Sequence, residues 1–264
     1  MRDYRRVSLW LDTVDDELTP RASLAGDTEA DIAIVGAGYT GLWTAYYLLR
    51  AQPDLRIVIL EKEIAGFGAS GRNGGWCSAL FAASHKKIAR HYGRDAAIAL
   101  QHEMFRTVDE VGRITGDEGI DCDFHKGGTL TLVTAPTQLG RVQGEVAESR
   151  AWGFGEDDHR WLDADAAAQR VKVAGCLGAA FTPHCARIHP AKLVRCLARK
   201  VEELGGVIHE GSPVMALEPG RARTNSGTVR AAIVVRATEA YTVQLPGHKR
   251  DLVPLYSLMI ATEP

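Results

Sequence analysis

The chain has 264 residues, 45% of them hydrophobic and 24% charged, with a formal net charge of -2. This is the composition of an ordinary globular protein, long enough for one large domain or two modest ones. The charge balance excludes a basic field for nucleic acid or anionic lipid, and no apolar run approaches the ~18 residues of a membrane span. Five scattered cysteines without a C-x-x-C pair point to reduced thiols and a cytoplasmic location rather than a disulfide framework.

Residues 1–29 lack strong periodicity and no apolar h-region marks a signal peptide. They read as an N-terminal lead-in packed over the surface, with Trp10 and Leu11 as anchors and Arg2, Arg5 and Arg6 solvated. A buried parallel strand is expected over 31–35, from Ile32, Ile34 and Val35. Gly36, Gly38 and Gly41 follow at G-x-G-x-x-G spacing and open a helix whose apolar face holds Leu42, Ala45, Tyr46 and Leu49. Pro53 forbids its continuation. A second strand over 55–60 delivers Glu61, 20 residues after Gly41. Strand, glycine turn, helix and acidic residue in this order make a dinucleotide site: the glycines admit a pyrophosphate to the backbone, the helix N-terminus faces the phosphates, and Glu61 accepts from ribose hydroxyls.

Residues 66–75, GFGASGRNGG, hold five glycines and read as a loop of exposed amides suited, with Ser70 and Arg72, to an extended polar ligand. The segments GAGYTGLWTAYYL, ILEK and GFGASGRNGG together resemble the flavoprotein amine oxidases related to D-amino-acid and glycine oxidases, nearest to the bacterial branch that includes the gamma-glutamylputrescine oxidases. That resemblance implies FAD contacts from Gly36, Gly38, Gly41, Glu61, Ala69, Ser70, Arg72, Asn73 and Gly74. Tyr39 and Thr40 in the turn and Lys62 beside Glu61 complete the expected site on this side. Some relatives attach flavin through a histidine in the second loop; Arg72 stands there in this chain, so non-covalent FAD is expected.

Further on, 95–115 reads as a helix with Asp95 as N-cap, carrying His102 and Glu103 on a solvated face. A strand over 127–134, a helix over 137–152 and a short helix capped by Asp163 follow. Residues 176–190 read as a strand running into a turn. Neither 121–125 nor the set His184, Cys185 and His189, with no carboxylate nearby in sequence, forms a standard ligand pattern, so no metal is expected. The R-x-H-P turn ending at Pro190 starts a helix over 191–204. Short strands follow at 207–209, 213–218, 221–224 and 228–235, with a hairpin turn at 225–227. This meander, expected to lie over the dinucleotide fold, resembles a glutathione-reductase-type FAD domain. There Val214 would meet the adenine and Ala237 the cofactor, although Glu239 stands where relatives usually carry glycine.

The fold class expected is therefore α/β: a Rossmann-like FAD-binding domain (30–120 and 187–242) with a discontinuous, partly missing mixed-sheet substrate domain (121–186 and 243–264). The strand-like residues 253–264 have no partner after them, and the chain reads as a fragment of a longer protein. The resemblance implies oxidation of a small-molecule amine or amino acid at its carbon–nitrogen bond, with oxygen as acceptor. A dehydrogenase using another acceptor and a non-catalytic dinucleotide-binding remnant are the alternatives. Arg187, Tyr241 and Tyr256 are read as structural, no residue is assigned as catalytic, and the sequence sets no oligomeric state.

Overall fold

In the computed structural model, which describes residues 2–258, the first part of the chain forms α1 (Leu9–Thr13), β1 (Thr28–Val35), α2 (Tyr39–Ala51), β2 (Ile57–Leu60), β3 (Trp76–Ser78), α3 (His85–Tyr92) and α4 (Arg94–Asp117). There follow β4 (Thr129–Val133), α5 (Pro136–Trp152), β5 (Arg160–Leu162), α6 (Ala164–Ala168), β6 (Gly178–Thr182) and β7 (Cys185–Arg187). The last elements are α7 (Pro190–Glu203), β8 (Val207–His209), β9 (Val214–Glu218), β10 (Arg221–Thr224) and β11 (Thr228–Arg236). The chain divides into two units, one holding 2–75, 120–122 and the described residues from 189 on, the other 76–119 and 123–188.

The first unit is built on a sheet in the order β8-β2-β1-β11-β10-β9. β2 is buried at all four positions, which suits a central parallel strand covered on both faces. β1 runs parallel to β2 and β11, with Val35 level with both Leu60 and Arg236. Three parallel strands therefore end at one edge, where α/β folds place their ligands. The meander does not lie over this sheet but continues it. β11 is nine residues long, enough to pair with β1 along one side and with β10 along the other. α7 buries Leu193, Val194, Leu197 and Val201. Its N-cap is His189, whose Nδ1 accepts from Lys192 N at 3.2 Å, with Pro190 in the first turn.

The second unit contains the antiparallel sheet β4-β6-β5 and the pair β3-β7. α5 packs Val142 and Val146 on Val133 of β4 and Ala180 of β6. The division places 76–119 here rather than with the dinucleotide fold. Val108 of α4 is buried with Ala79 and with Ala186 of β7, and Ala97 of the same helix with Trp152 and Phe154. α4 begins earlier than the pattern suggests: Gly93 is the N-cap and Asp95 lies in the first turn. α3 is short and its apolar face narrow, with Ile88 and Ala89 only partly buried against Ala97, Trp152 and Phe154, so the sequence pattern does not reveal it. Asp163 does cap its short helix, accepting from Ala166 N at 2.8 Å.

Of the N-terminal arginines, Arg2 and Arg5 are not simply solvated. Arg5 Nη1 donates to the carbonyls of Asp12 (2.9 Å) and Val14 (3.2 Å), and Arg2 pairs with Glu63 at 3.0 Å. At the other end, 253–258 is exposed and not a strand. Among the described residues no strand pairs with it, and a strand without a ladder partner has no reason to hold. The rest of that expected strand lies outside the described residues.

Candidate functional site

At the common edge of β1, β2 and β11 lies a cleft of about 390 Å³, and every residue lining it belongs to the first unit. That volume is within the range of small-molecule and cofactor sites. The edge is closed by backbone bonds that fix the three strand ends: Gly36 N donates to Leu60 O (2.8 Å), Ala237 N to Val35 O (2.8 Å) and Glu61 N to His209 O (2.9 Å).

The turn out of β1 has no room for side chains. Gly36 sits at φ +108°, in the left-handed region glycine favours, and a Cβ there would meet Ala237 O at 2.4 Å. A Cβ on Gly41 would meet Gly36 O at 2.0 Å, so its role is helix packing, and it does not line the cleft. Gly38 is the N-cap of α2 and makes no side-chain capping bond. Tyr39 N in the first turn donates to Ser70 Oγ at 2.9 Å, which joins the two glycine-rich stretches. Gly36, Gly38, Tyr39, Thr40, Glu61, Lys62, Ala69, Ser70, Val214 and Ala237 all line the cleft.

Arg72, Asn73 and Gly74 do not line it. The Arg72 guanidinium lies 4.8 Å from the Phe67 ring centroid and donates to the Tyr241 hydroxyl at 2.8 Å. The Asn73 amide nitrogen donates to the carbonyls of Ala69 and Ser70 at 3.2 Å each, and so locks the short 3-10 turn Ala69–Gly71. Both residues brace the loop. Tyr241, read as structural from the sequence, lines the cleft, as do Phe67, Thr238 and Glu239. Glu239 adopts φ 45°, the left-handed conformation where relatives were expected to carry glycine. The turn Glu239–Gln244 that carries Tyr241 had no periodic signal.

Glu61 is half-buried; its Oε2 accepts from Ala37 N at 2.9 Å and its Oε1 from Glu63 N at 3.0 Å. Burial pushes its carboxyl above the usual carboxylate value, against the pull of these backbone N–H groups. A carboxylate has about four acceptor positions, so two such bonds leave capacity for hydroxyl donors. A glycine turn that a Cβ would fill, a helix start without a capping side chain, and an acidic acceptor at the next strand end together fit a pyrophosphate-linked dinucleotide. The residues present suit the expected FAD.

In the second unit the fold supplies a carboxylate the sequence did not place near His184: Asp158 Oδ1 lies 3.0 Å from its Nε2, with the ring stacked on Phe105 at 3.6 Å. Among the described residues no group of three His, Cys, Asp or Glu side chains could hold a metal ion. The five cysteines are free thiols, and no helix among the described residues is long and apolar enough to cross a membrane.

Comparison with known proteins gives four consistent likenesses. A family model described as "DAO: FAD dependent oxidoreductase" matches residues 31–264. The chain is 32% identical to gamma-glutamylputrescine oxidoreductase of Escherichia coli (strain K12), over 86% of this chain and 53% of that protein. It is 30% identical to a probable oxidoreductase OrdL of Haemophilus influenzae, over 89% of this chain and 56% of that one. The chain thus spans about half the length of these curated relatives. In fold it is similar to glycine oxidase from Geobacillus kaustophilus, with a TM-score of 0.68, 22% identity, and coverage of 84% of this chain and 58% of that one.

Proposed function

The chain belongs to the DAO family of FAD-dependent oxidoreductases, and on that premise we propose that its cleft holds FAD non-covalently and serves the oxidation of a small amine or amino acid. The observation that carries this reading is the convergence of the Gly36–Gly38 turn, Glu61 and Ala237 on one cleft at the ends of three parallel strands. In this reading the ribose hydroxyls donate to Glu61, and the backbone around Gly36, Gly38 and Thr40 receives the pyrophosphate at the N-terminus of α2. Val214 meets the adenine, and Ala69 and Ser70 follow the rest of the cofactor. Lys62 is a cation at the rim, with Nζ 3.3 Å from Gln244 Oε1. Arg72 and Asn73 hold the loop from behind, and the second unit belongs to the substrate side.

The chemistry FAD supplies when bound is two-electron oxidation of a carbon–nitrogen bond to an imine, with oxygen as acceptor and hydrogen peroxide as product. The likeness to gamma-glutamylputrescine oxidoreductase favours an amine donor over an alcohol. The test is direct. The purified chain should show flavin bands near ~370 and ~450 nm that heat or acid releases as free FAD. Anaerobic bleaching by a panel of amines and amino acids would identify donors, and one peroxide per donor on admitting air would support the oxidase. Bleaching without peroxide would make it a dehydrogenase; a chain that takes up no FAD would sink the cofactor reading.

Glu61 gives a pH signature. Ribose hydroxyls donate best to the ionised carboxylate, so FAD affinity is expected to fall as pH drops through the raised Glu61 pKa. The fall should begin at higher pH than for an ordinary carboxylate, and Glu61→Gln should flatten it. The apoprotein responds in the opposite sense. A raised carboxyl favours the folded state below its unfolded pKa, and that contribution is lost as pH rises through the folded value. Titrating FAD by fluorescence quenching between about pH 4 and 8, around ordinary carboxylate values, would show the first trend, and urea unfolding of the apoprotein over the same range the second.

A further inference from the structure

The N-terminal segment lies outside the family match, which begins at residue 31, yet it touches the loop after β2 and the glycine-rich loop 66–75. Arg2 Nη1 and the Tyr4 hydroxyl donate to the two carboxylate oxygens of Glu63, at 3.0 and 3.2 Å. The Tyr4 ring packs edge-on to Phe67 at 6.1 Å, and the Arg2 guanidinium lies 4.5 Å from the centroid of the same ring. Glu63 and Phe67 both line the cleft. In the second loop, Ser8 Oγ donates to Gly71 O at 3.4 Å and Trp10 Nε1 to Asn73 O at 2.7 Å.

The segment is itself held firmly. Leu11 is fully buried, Arg5 gathers the carbonyls that follow it, and Leu24 N donates to Ser212 Oγ at 2.9 Å. Ser212 N in turn donates to Glu61 O at 2.8 Å. One strap therefore bonds to three segments around the cleft: the Glu63 side chain after β2, the backbone of the second loop, and the Ser212 side chain before β9.

We propose that residues 2–24 are a positioning segment of the cofactor site, holding Glu63, Phe67 and the 71–73 backbone so that bound FAD is released slowly. The inference rests on the FAD reading above. It makes Tyr4 and Trp10 positioning residues that never need to touch the cofactor.

The test uses Tyr4→Phe and Trp10→Phe, which each remove one donor and keep an aromatic ring, and the double variant. FAD release is followed by recovery of free-flavin fluorescence after dilution. Each variant should release FAD about fivefold faster, as loss of one net hydrogen bond gives, and the double variant about 25-fold faster. Amide hydrogen exchange over 63–73 in the apoprotein should rise in step. Val146→Ala, which thins the core of the second unit, controls for stability: it should lower the thermal midpoint and leave release unchanged. Release from the double variant within about twofold of the parent, well short of one hydrogen bond's worth, would overturn the proposal. So would equal acceleration by Val146→Ala. If Trp10→Phe does not fold, Tyr4→Phe alone decides. A parent chain that binds no FAD would fail the cofactor reading first and this inference with it, whereas unaltered release from a loaded chain fails this inference alone.

Discussion

Gly38→Ala is expected to cost the chain its FAD while leaving its fold standing, whereas Gly41→Ala is expected to cost the stability of the apoprotein itself. The two positions belong to one motif but meet different neighbours. A Cβ on Gly38 would find Ser70 Oγ at 2.9 Å, the end of a side chain that can rotate away. The same Cβ would stand at the start of α2, where the pyrophosphate must approach the backbone. Losing one or two charge-assisted hydrogen bonds there, at about 1.5–3 kcal/mol each, weakens FAD at least about tenfold and up to about 20,000-fold. A Cβ on Gly41 would instead meet Gly36 O at 2.0 Å and Ile34 Cγ2 at 3.2 Å. The first of these is backbone in the turn itself, so α2 must move off β1. Overpacking of this kind costs about 1–3 kcal/mol or more, which is a lower midpoint of thermal unfolding in the apoprotein. Fluorescence titration of FAD and thermal scans without it separate the two variants. Parent-like FAD affinity in a folded Gly38→Ala chain would mean that the pyrophosphate does not lie on this turn.

The part of the site that could be read from the sequence is the part whose geometry is local. From residue 31 to Glu61 the chain makes a strand, a turn, a helix and the adjacent parallel strand. Each step is fixed by neighbours in sequence: apolar runs, glycine spacing, Pro53 and one acidic residue. What the sequence hid depends on distant pairing. Tyr241 reaches the cleft only because β11 returns beside β1. Asp158 meets His184 across 26 residues. The meander's place in the same sheet follows from β11 pairing with β1 along one edge and with β10 along the other, and the pattern of a strand over 228–235 gives no sign of which edges it will use. Residues 76–119 moved to the second unit for a similar reason. The helix pattern of α4 was visible, but the clusters of Val108 with Ala186 and of Ala97 with Trp152 were not. Arg2 and Arg5 differ from the expected solvated pair because their acceptors are Glu63 and backbone carbonyls that lie apart from them in the chain.

The same blindness hid the group whose removal should cost most stability. Glu210 follows β8 in what reads as a Glu-Gly turn, the natural place for a solvated acid. It is instead wholly buried. Its carboxylate accepts from Arg21 N (2.7 Å), Arg21 Nη1 (2.8 Å) and Ala65 N (2.7 Å), and lies 3.5 Å from Arg195 Nη1. That Arg195 nitrogen is itself buried, with no hydrogen-bond partner among the described residues, so Glu210 is the charge that balances it. Glu210→Ala would leave two backbone amides without their acceptor and take the shared buried carboxylate from Arg21 and Arg195, which keep only Glu202 and Asp16 as counter-charges. Removing one member of a buried ion pair costs about 3–5 kcal/mol, against total stabilities of about 5–15 kcal/mol, so the variant should lie near the limit of folding. Glu210→Gln keeps an acceptor for the amides and should cost less, which tells charge from hydrogen bonding. Acid should erode the same cluster. Burial would raise the carboxyl of Asp16, but the hydrogen bond and charge of Arg195, with Arg199, hold it below the usual value. A depressed carboxyl contributes stability above its unfolded pKa and loses it as pH falls through the folded value. Urea unfolding at neutral pH and near pH 3, below the ordinary Asp value of about 3.9, should therefore show the parent losing stability toward acid and Asp16→Asn losing less. A Glu210→Ala midpoint within about 1 kcal/mol of the parent would mean the arginines find other acceptors, and the buried carboxylate would then be a passenger rather than the hub that ties the N-terminal segment to the loop beside the cleft.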